Sequence, residues 1–286
     1  MDWFLLRPEG IGRDLSLSHD TQLAKRWMKA ELHSHCSLDP VDYRVCQHTP
    51  EELITHAARL GYEILAITCH DTDVWTEGLA DYARGLGITL IPGMEVSTEG
   101  TRQILAYNFR AGSREMSTLA RIRSLCREDT LVIAPHPFFP GPHCLRELVR
   151  KNLDIFDAIE YSGFYIRGVD FNRRGEALAA REHKPLVGNA DVHHLWQMDR
   201  TFTWVYAEPG VLPVIRAVKE GLVKVQKSPL TWFEAAKWWT TSFWRRPFPA
   251  NPEPKKRFGR KTSPVRPSDE IEDGRCLGAA QQGMKP

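Results

Sequence analysis

An α/β barrel, closed or nearly closed, is the fold class this sequence predicts, and three observations predict it. Between residues 30 and 225, apolar β-branched runs alternate with amphipathic segments, the order that builds a parallel sheet with helices outside. About seven such units occur, enough for a sheet to close on itself. At 286 residues with 42% hydrophobic side chains, the chain can fill one large core.

The candidate strands are "AELHSH", "EILAITCH", "ITLIPGMEVS", "QILAYNF", "LVIAPHP", "DAIEYSG" and "PLVGNAD", with "TFTWVYAE" after them. The clearest helix is "TPEELITHAARLG", where Thr49 can cap, Pro50 suits the first turn, Glu52 completes a capping box and Gly61 stops the helix. Residues 1–29 read as an N-terminal extension and residues 30–228 as the barrel. Residues 229–244, "PLTWFEAAKWWTTSFW", form an aromatic helical segment whose tryptophans are expected to pack on the barrel or a partner chain. From 245 to 286 the chain carries ten Lys or Arg against five Asp or Glu and seven of the nineteen prolines. This tail is about +5 and the rest about −3. It is expected to be a disordered, solvated extension, with a contact to nucleic acid or another polyanion as the lesser reading.

Cys36, Cys46, Cys69, Cys126, Cys144 and Cys276 show no CxxC pair and no regular framework, which points to reduced thiols in a cytoplasmic protein. No run of about 18 apolar residues occurs, and the N-terminus lacks a basic region ahead of an apolar one, so neither secretion nor a membrane span is expected.

The chemistry lies at the strand ends. In "AELHSHCSLDP" the strand period of two turns His33 and His35 to one face, where a divalent metal could join them. Each later strand stays apolar until its C-terminal end and there delivers a potential ligand: His70, Glu95, His136, Glu160, then Asp191 with His193. That is the face on which barrel enzymes keep their chemistry. Any one of these residues has a bland explanation as a surface or salt-bridged group, but no bland explanation covers all of them together. Mixed imidazole and carboxylate ligands suit manganese, iron or zinc better than magnesium. The chain has no GxSxG, Walker or GxGxxG motif, and no protein nucleophile is required.

The stretches "ELHSH", "AITCHDT", "IPGMEVST", "APHPF" and "GNADVHH" resemble, in order and spacing, the motifs of the PHP (polymerase and histidinol phosphatase) family, over roughly residues 30 to 225. The resemblance implies a distorted (β/α)7 TIM-like barrel that binds two or three divalent metal ions and hydrolyses phosphate esters. It implies that His33, His35, Glu95 and Asp191 surround one metal, that Glu95 bridges to a second held also by His136, and that a third lies near Asp39, His70 and His193. Asp42 is the substitute for Asp39. Asp191 and His193 would be the catalytic pair, with His193 or His194 protonating the leaving group. Glu160 would support the ligands or face the substrate.

Two residues depart from the pattern. Cys69 stands where an aspartate is usual, and alternation should turn it into the core. Gln103 stands where many relatives place a metal-ligating histidine, and an amide would hold the second metal more loosely. The expected substrate is a small phosphorylated molecule such as a nucleotide or amino-alcohol phosphate, with oligonucleotide hydrolysis as a variant. An amidohydrolase-type metalloenzyme shares the opening HxH, but Glu95 and the Asp191/His193 pair follow the PHP arrangement. A degenerate barrel that binds without turnover would fit Gln103 and Cys69.

Overall fold

The protein is described by a computed structural model over residues 24–245. Most of the N-terminal extension and of the basic tail lies outside the described residues.

The chain runs β1 (Arg26–Glu31), α1 (Pro50–Arg59), β2 (Ile64–Ile67), α2 (Glu77–Gly85), β3 (Thr89–Thr98), β4 (Arg102–Tyr107), α3 (Leu119–Leu125), β5 (Leu131–Ala134) and α4 (Glu147–Lys151). It continues through β6 (Ala158–Ser162), α5 (Arg173–Arg181), β7 (Leu186–Asn189), β8 (Phe202–Ala207), α6 (Val211–Lys219), β9 (Val223–Gln226) and α7 (Trp232–Arg245). The strands form one sheet in the order β7-β6-β5-β4-β3-β2-β1-β8-β9. Its ends approach one another: Thr203 Oγ1 of β8 both accepts from the Gly188 amide and donates to the Gly188 carbonyl of β7, each at 2.8 Å. Beyond the strand ends, His35 N donates to Val192 O at 2.9 Å and Val192 N to His33 O at 3.1 Å, which ties the β1 and β7 extensions together. The expected nearly closed α/β barrel is therefore present.

The repeat is less regular than seven β-then-α units. β3 and β4 are antiparallel, as are β4 and β5, β1 and β8, and β8 and β9. Only Glu99, Gly100 and Thr101 separate β3 from β4, with Glu99 at φ 45 and Gly100 at φ 85. That tight left-handed turn can only reverse the chain, because a parallel crossover needs a dozen or more residues. A ninth strand, β9, escapes the sequence reading because its "VKVQ" exposes every second residue at the sheet edge. β1 also begins at Arg26, inside the segment read as the extension, because residues 26 to 30 pair with β8.

α1 forms for the expected reasons. Thr49 accepts from Glu52 N, Glu52 Oε2 accepts from Thr49 N, Pro50 opens the helix, and Gly61 at φ 75 follows its end. Side chains from β1 through β8, including Leu32, Ile64, Ile91, Leu105, Ile133 and Val187, meet in one buried interior cluster. α6 adds Val214, Ile215, Ala217 and Val218 to this cluster, and its Lys219 Nζ donates to Thr130 O at 2.7 Å, so α6 plugs the end where β5 begins. Chemistry is left to the opposite end. No helix among the described residues is long and apolar enough to cross a membrane.

Across the interior, Tyr107 Oη donates to Leu32 O at 2.6 Å, one residue before His33. Gly93 makes room for that ring, since an added Cβ would lie 2.7 Å from Tyr107 Cδ1. Gly93→Ala is expected to cost about 1–3 kcal/mol of stability through overpacking, read as a lower urea midpoint. An unchanged midpoint would show that the Tyr107 ring shifts freely and does not fix the chain ahead of His33.

Candidate metal centre

His33 and His35 lie just past the end of β1, not inside the strand, yet their rings face each other with centroids 5.3 Å apart. The parallel bridge of Ser34 with Val192 keeps this segment extended, so the period of two still turns both imidazoles to one side. His70 follows β2, and Glu95 lies within β3 directly beside it in a parallel bridge. His136 follows β5 and Asp191 follows β7. These last two adopt left-handed backbone, φ 28 and φ 51, a conformation costing on the order of 1–3 kcal/mol that tends to persist where a site demands it.

Four buried donor atoms here have no hydrogen-bond partner: His33 Nε2, His35 Nε2, Glu95 Oε1 and Asp191 Oδ1. Buried polar atoms are nearly always satisfied, so four orphans in one place require an explanation. The spacing supplies one. His33 Nε2 is 3.4 Å from both Glu95 Oε2 and Asp191 Oδ1, and His35 Nε2 is 3.5 and 3.3 Å from the same two oxygens. Those gaps exceed a good N–H···O bond. They match the edge of a tetrahedron of donors about 2.0–2.1 Å from a central ion, roughly 3.3–3.4 Å. The residues present therefore fit a divalent cation.

Supporting groups set which ring nitrogen faces inward. His33 Nδ1 donates to Glu160 Oε1 at 2.9 Å, and Asp39 Oδ2 accepts from His35 Nδ1 at 2.8 Å and His70 Nδ1 at 2.9 Å. Each ring thereby leaves Nε2 for the centre, the carboxylate–histidine arrangement common around bound metals. Asp39 is further occupied by the amides of Val41, Asp42 and His70. Asp42 instead points Oδ2 at His193 Nε2, 3.2 Å away, and at His70 Nδ1, 3.8 Å away. Asp39 thus sits behind two imidazoles, and Asp42 lines the open side.

Glu160 joins the site from behind the ligands: besides His33 it accepts from His136 N and from Asn189 Nδ2. His136 Nε2 lies 3.5 Å from Glu95 Oε1. Gln103 lines the same cavity as Glu95 and His136, as its register opposite Ser97 on β3 requires. Cys69 turns into the core, its Sγ 3.4 Å from Cys36 Sγ. His194 is a correction. It turns away, stacked on Trp196 with Nε2 3.1 Å from Thr241 Oγ1 of α7, and cannot serve a leaving group in the cavity. The sequence reading also missed Glu31, wholly buried, whose carboxylate accepts from the amides of His33 and Ala190 and so clamps the two ligand-bearing segments together. An acid between Ala30 and Leu32, at the end of β1, was the signal for it.

The charges reinforce one another. Burial disfavours charge on His33, but Asp191, Glu160 and Glu95 outweigh it and hold its pKa well above the usual imidazole value. His70 and His136 are raised against burial in the same way, His70 by Glu95 first and His136 by Cys144 and Glu95. Against burial, His33 and His70 hold Glu95 well below the ordinary carboxylate range, and His33 with His193 does so for Asp191. For His193, Asp191 and Asp42 overcome burial and raise the pKa to about 9. Burial first, with a smaller push from Glu160, raises Glu31 to about 8 against the amides of Ala190 and His33. Cations entering here would displace protons from the imidazoles. Four overlapping groups can each offer ligand atoms within 4.8 Å of one another: His33/His136/Asp191, His33/His35/Glu95, His35/Asp191/His193 and His35/Asp39/His70.

No family model matches the chain. It is similar to the error-prone DNA polymerase of Nocardia farcinica, 31% identical over 122 residues, 41% of this chain, and it spans only 10% of that polymerase. In structure it resembles the lesion-specific endonuclease Q from Pyrococcus furiosus, with a TM-score of 0.50 and 14% identity over 70% of this chain and 58% of the endonuclease. PsfC from Pseudomonas syringae aligns over 77% of this chain and 98% of its own, with a TM-score of 0.48 and 16% identity. The likeness to endonuclease Q shows a shared fold.

Proposed function

We propose that the chain is a PHP-type barrel that hydrolyses a phosphate ester at a centre of two or three divalent ions, manganese, iron or zinc. The observation that carries this reading is that three buried atoms without partners, His33 Nε2, His35 Nε2 and Asp191 Oδ1, converge with Glu95 Oε2, with gaps of 3.3–3.5 Å between imidazole nitrogens and carboxylate oxygens. In this reading His33, His35, Glu95 and Asp191 would hold one ion, and Glu95 with His136 would hold a second. A third would lie near His70 and His193, with Asp42 on the open side and Asp39 behind the rings. Ions bound there would neutralise phosphoryl charge and acidify water enough for attack near neutral pH.

The chain's own residues divide the remaining work. Glu160, Asp39 and Glu31 fix the inward rings and the segments that carry them. When it is not itself holding an ion, His193, which lines the cavity and is backed by Asp42, would donate the proton to the leaving oxygen. The water oxygen bonds to phosphorus, the ester P–O bond breaks, and the products are phosphate and an alcohol. We take the substrate to be small and soluble and the site of action to be the cytoplasm, on the cysteine usage. The polymerase and endonuclease likenesses make oligonucleotides the natural second substrate class to try. The test is a hydrolysis screen of phosphomonoesters, nucleotides and single-stranded oligonucleotides with each metal supplied separately. Metal-dependent phosphate release supports the reading, and hydrolysis of amides or lactones in place of phosphoesters would overturn it.

Gln103 gives a further expectation. With only an amide at that position, the second ion should be held weakly. Gln103→His should raise the metal retained after dialysis and lower the manganese needed for half-maximal hydrolysis by about 10- to 100-fold, the usual scale of ligand-shell changes. Unchanged retention and metal requirement in a folded variant would mean that residue 103 does not reach the second ion.

A further inference from the structure

The metal centre forms the floor of a cavity of about 620 Å³, within the roughly 300–1,000 Å³ range that encloses a small organic molecule and far more than a phosphoryl group needs. Its walls are largely aromatic and aliphatic, among them Phe139, Phe164, Tyr165, Phe171, Leu230 and Trp238. Among the described residues, no lysine or arginine lines it. Several cations on neighbouring segments have other work: Arg102 donates to Pro142 O and Cys144 O at 2.6 and 2.7 Å, Arg200 pairs with Glu234, and Lys237 lies 4.8 Å over the Trp196 ring, while Arg167, between the lining residues Ile166 and Val169, is exposed and does not itself line the cavity.

The aromatic segment supplies one wall. Thr231 and Glu234 cap the start of α7 reciprocally, Leu230 N donates to Tyr165 O at 2.8 Å, and Arg200 fastens Glu234. Trp238 is thereby set edge-on to Phe164, ring centroids 4.8 Å apart, while Trp232, on the outer side of the same helix, is 70% exposed. Phe164 also lies edge-on to His193, 6.4 Å between centroids. The aromatic wall therefore begins beside the metal centre.

We propose that this cavity selects phosphoesters bearing one phosphoryl group on an uncharged, flat or apolar organic part, and that Trp238 and Phe164 are the surfaces against which that part rests. The proposal builds on the phosphoester reading above. A single phosphoryl group can be neutralised at the metal centre. A second phosphate or carboxylate would enter a largely apolar cavity that no lysine or arginine lines among the described residues, which is costly. A flat organic part displaces water from aromatic walls and gains stacking.

The test compares naphthylethyl phosphate, glycerol phosphate and a hexose bisphosphate on the metal-loaded full-length protein, all three being alkyl esters of similar intrinsic reactivity. The expected order of kcat/KM places naphthylethyl phosphate about tenfold or more above glycerol phosphate, with the bisphosphate last. Trp238→Ala should shrink the naphthylethyl-to-glycerol ratio by about tenfold, the scale of one lost aromatic stacking contact, whereas Trp232→Ala should leave the ratio as it is. Glycerol phosphate or the bisphosphate turning over as well as naphthylethyl phosphate, or an unaltered ratio in folded Trp238→Ala, would overturn the proposal. If no phosphoester is hydrolysed, the hydrolytic reading has failed, and calorimetry still decides this one. Naphthylethyl phosphonate binding more tightly than ethyl phosphonate, with the gain lost in Trp238→Ala, supports the aromatic wall, and equal binding refutes it.

Discussion

Asp191→Ala is expected to reduce phosphoester hydrolysis by roughly a thousandfold while the barrel stays folded, the several kcal/mol that metal-borne charge stabilisation is worth. Asp191 Oδ1 lies 3.3–3.4 Å from His33 Nε2, His35 Nε2 and His193 Nδ1, so its loss removes a carboxylate shared by three imidazoles. The side chain stands at the open end of the barrel, outside the apolar interior cluster, and its removal should spare the fold. Because residue 191 sits at φ 51, alanine adds backbone strain as well. Asp191→Asn separates the two effects, since asparagine tolerates that backbone and keeps the shape but replaces an anionic ligand with a neutral amide. Comparable losses in both variants, with circular dichroism unchanged, locate the effect in the carboxylate. Near wild-type turnover and metal content in Asp191→Asn would sink its assignment as a ligand.

Removing metal should matter for stability as well as for turnover. A cation present at about 100 times its dissociation constant stabilises the native state by about 2.7 kcal/mol, which in a domain of this size corresponds to roughly 5–10 °C in Tm. Dialysis against a chelator should therefore lower Tm by that amount and abolish hydrolysis, and manganese or zinc should restore both. Without metal, the carboxylates of Asp191, Glu160 and Glu95 favour a charged His33, which offsets part of the loss. The loss should accordingly be a shift in Tm and not an unfolding. A Tm indifferent to chelator and to added metal would mean that the cluster is only an internal ion-pair network.

Much of this was legible in the sequence because two local rules suffice for it. Alternating apolar runs marked eight of the nine strands, and the Thr49/Glu52 box marked α1 to the residue. Polar residues at the ends of apolar runs marked His33, His35, His70, His136, Asp191 and His193, because the strand end is where a barrel side chain leaves the core, whereas Glu95 lies inside β3. Non-local facts were not legible. Nothing near residue 100 states that β4 turns back antiparallel until the three-residue turn is seen. Glu31 acts on His33 and Ala190, 159 residues away from one of its partners, a contact that only barrel closure creates. The division between Asp39 and Asp42 depends on a loop that curls one carboxylate behind the imidazoles and leaves the other in front. The tryptophans of α7 divide in the same way, Trp238 inward and Trp232 outward, and segment composition could not tell them apart.

The central claim is that these residues form a multinuclear metal centre, and elemental analysis tests it most directly. Protein reconstituted with manganese or zinc and then freed of loose ions should retain at least one equivalent per chain, rise to two or more in the presence of excess metal, and fall towards zero in Asp191→Ala. A folded wild-type protein that retains no metal under any of these conditions, or an Asp191→Ala variant that binds as much as wild type, would contradict it.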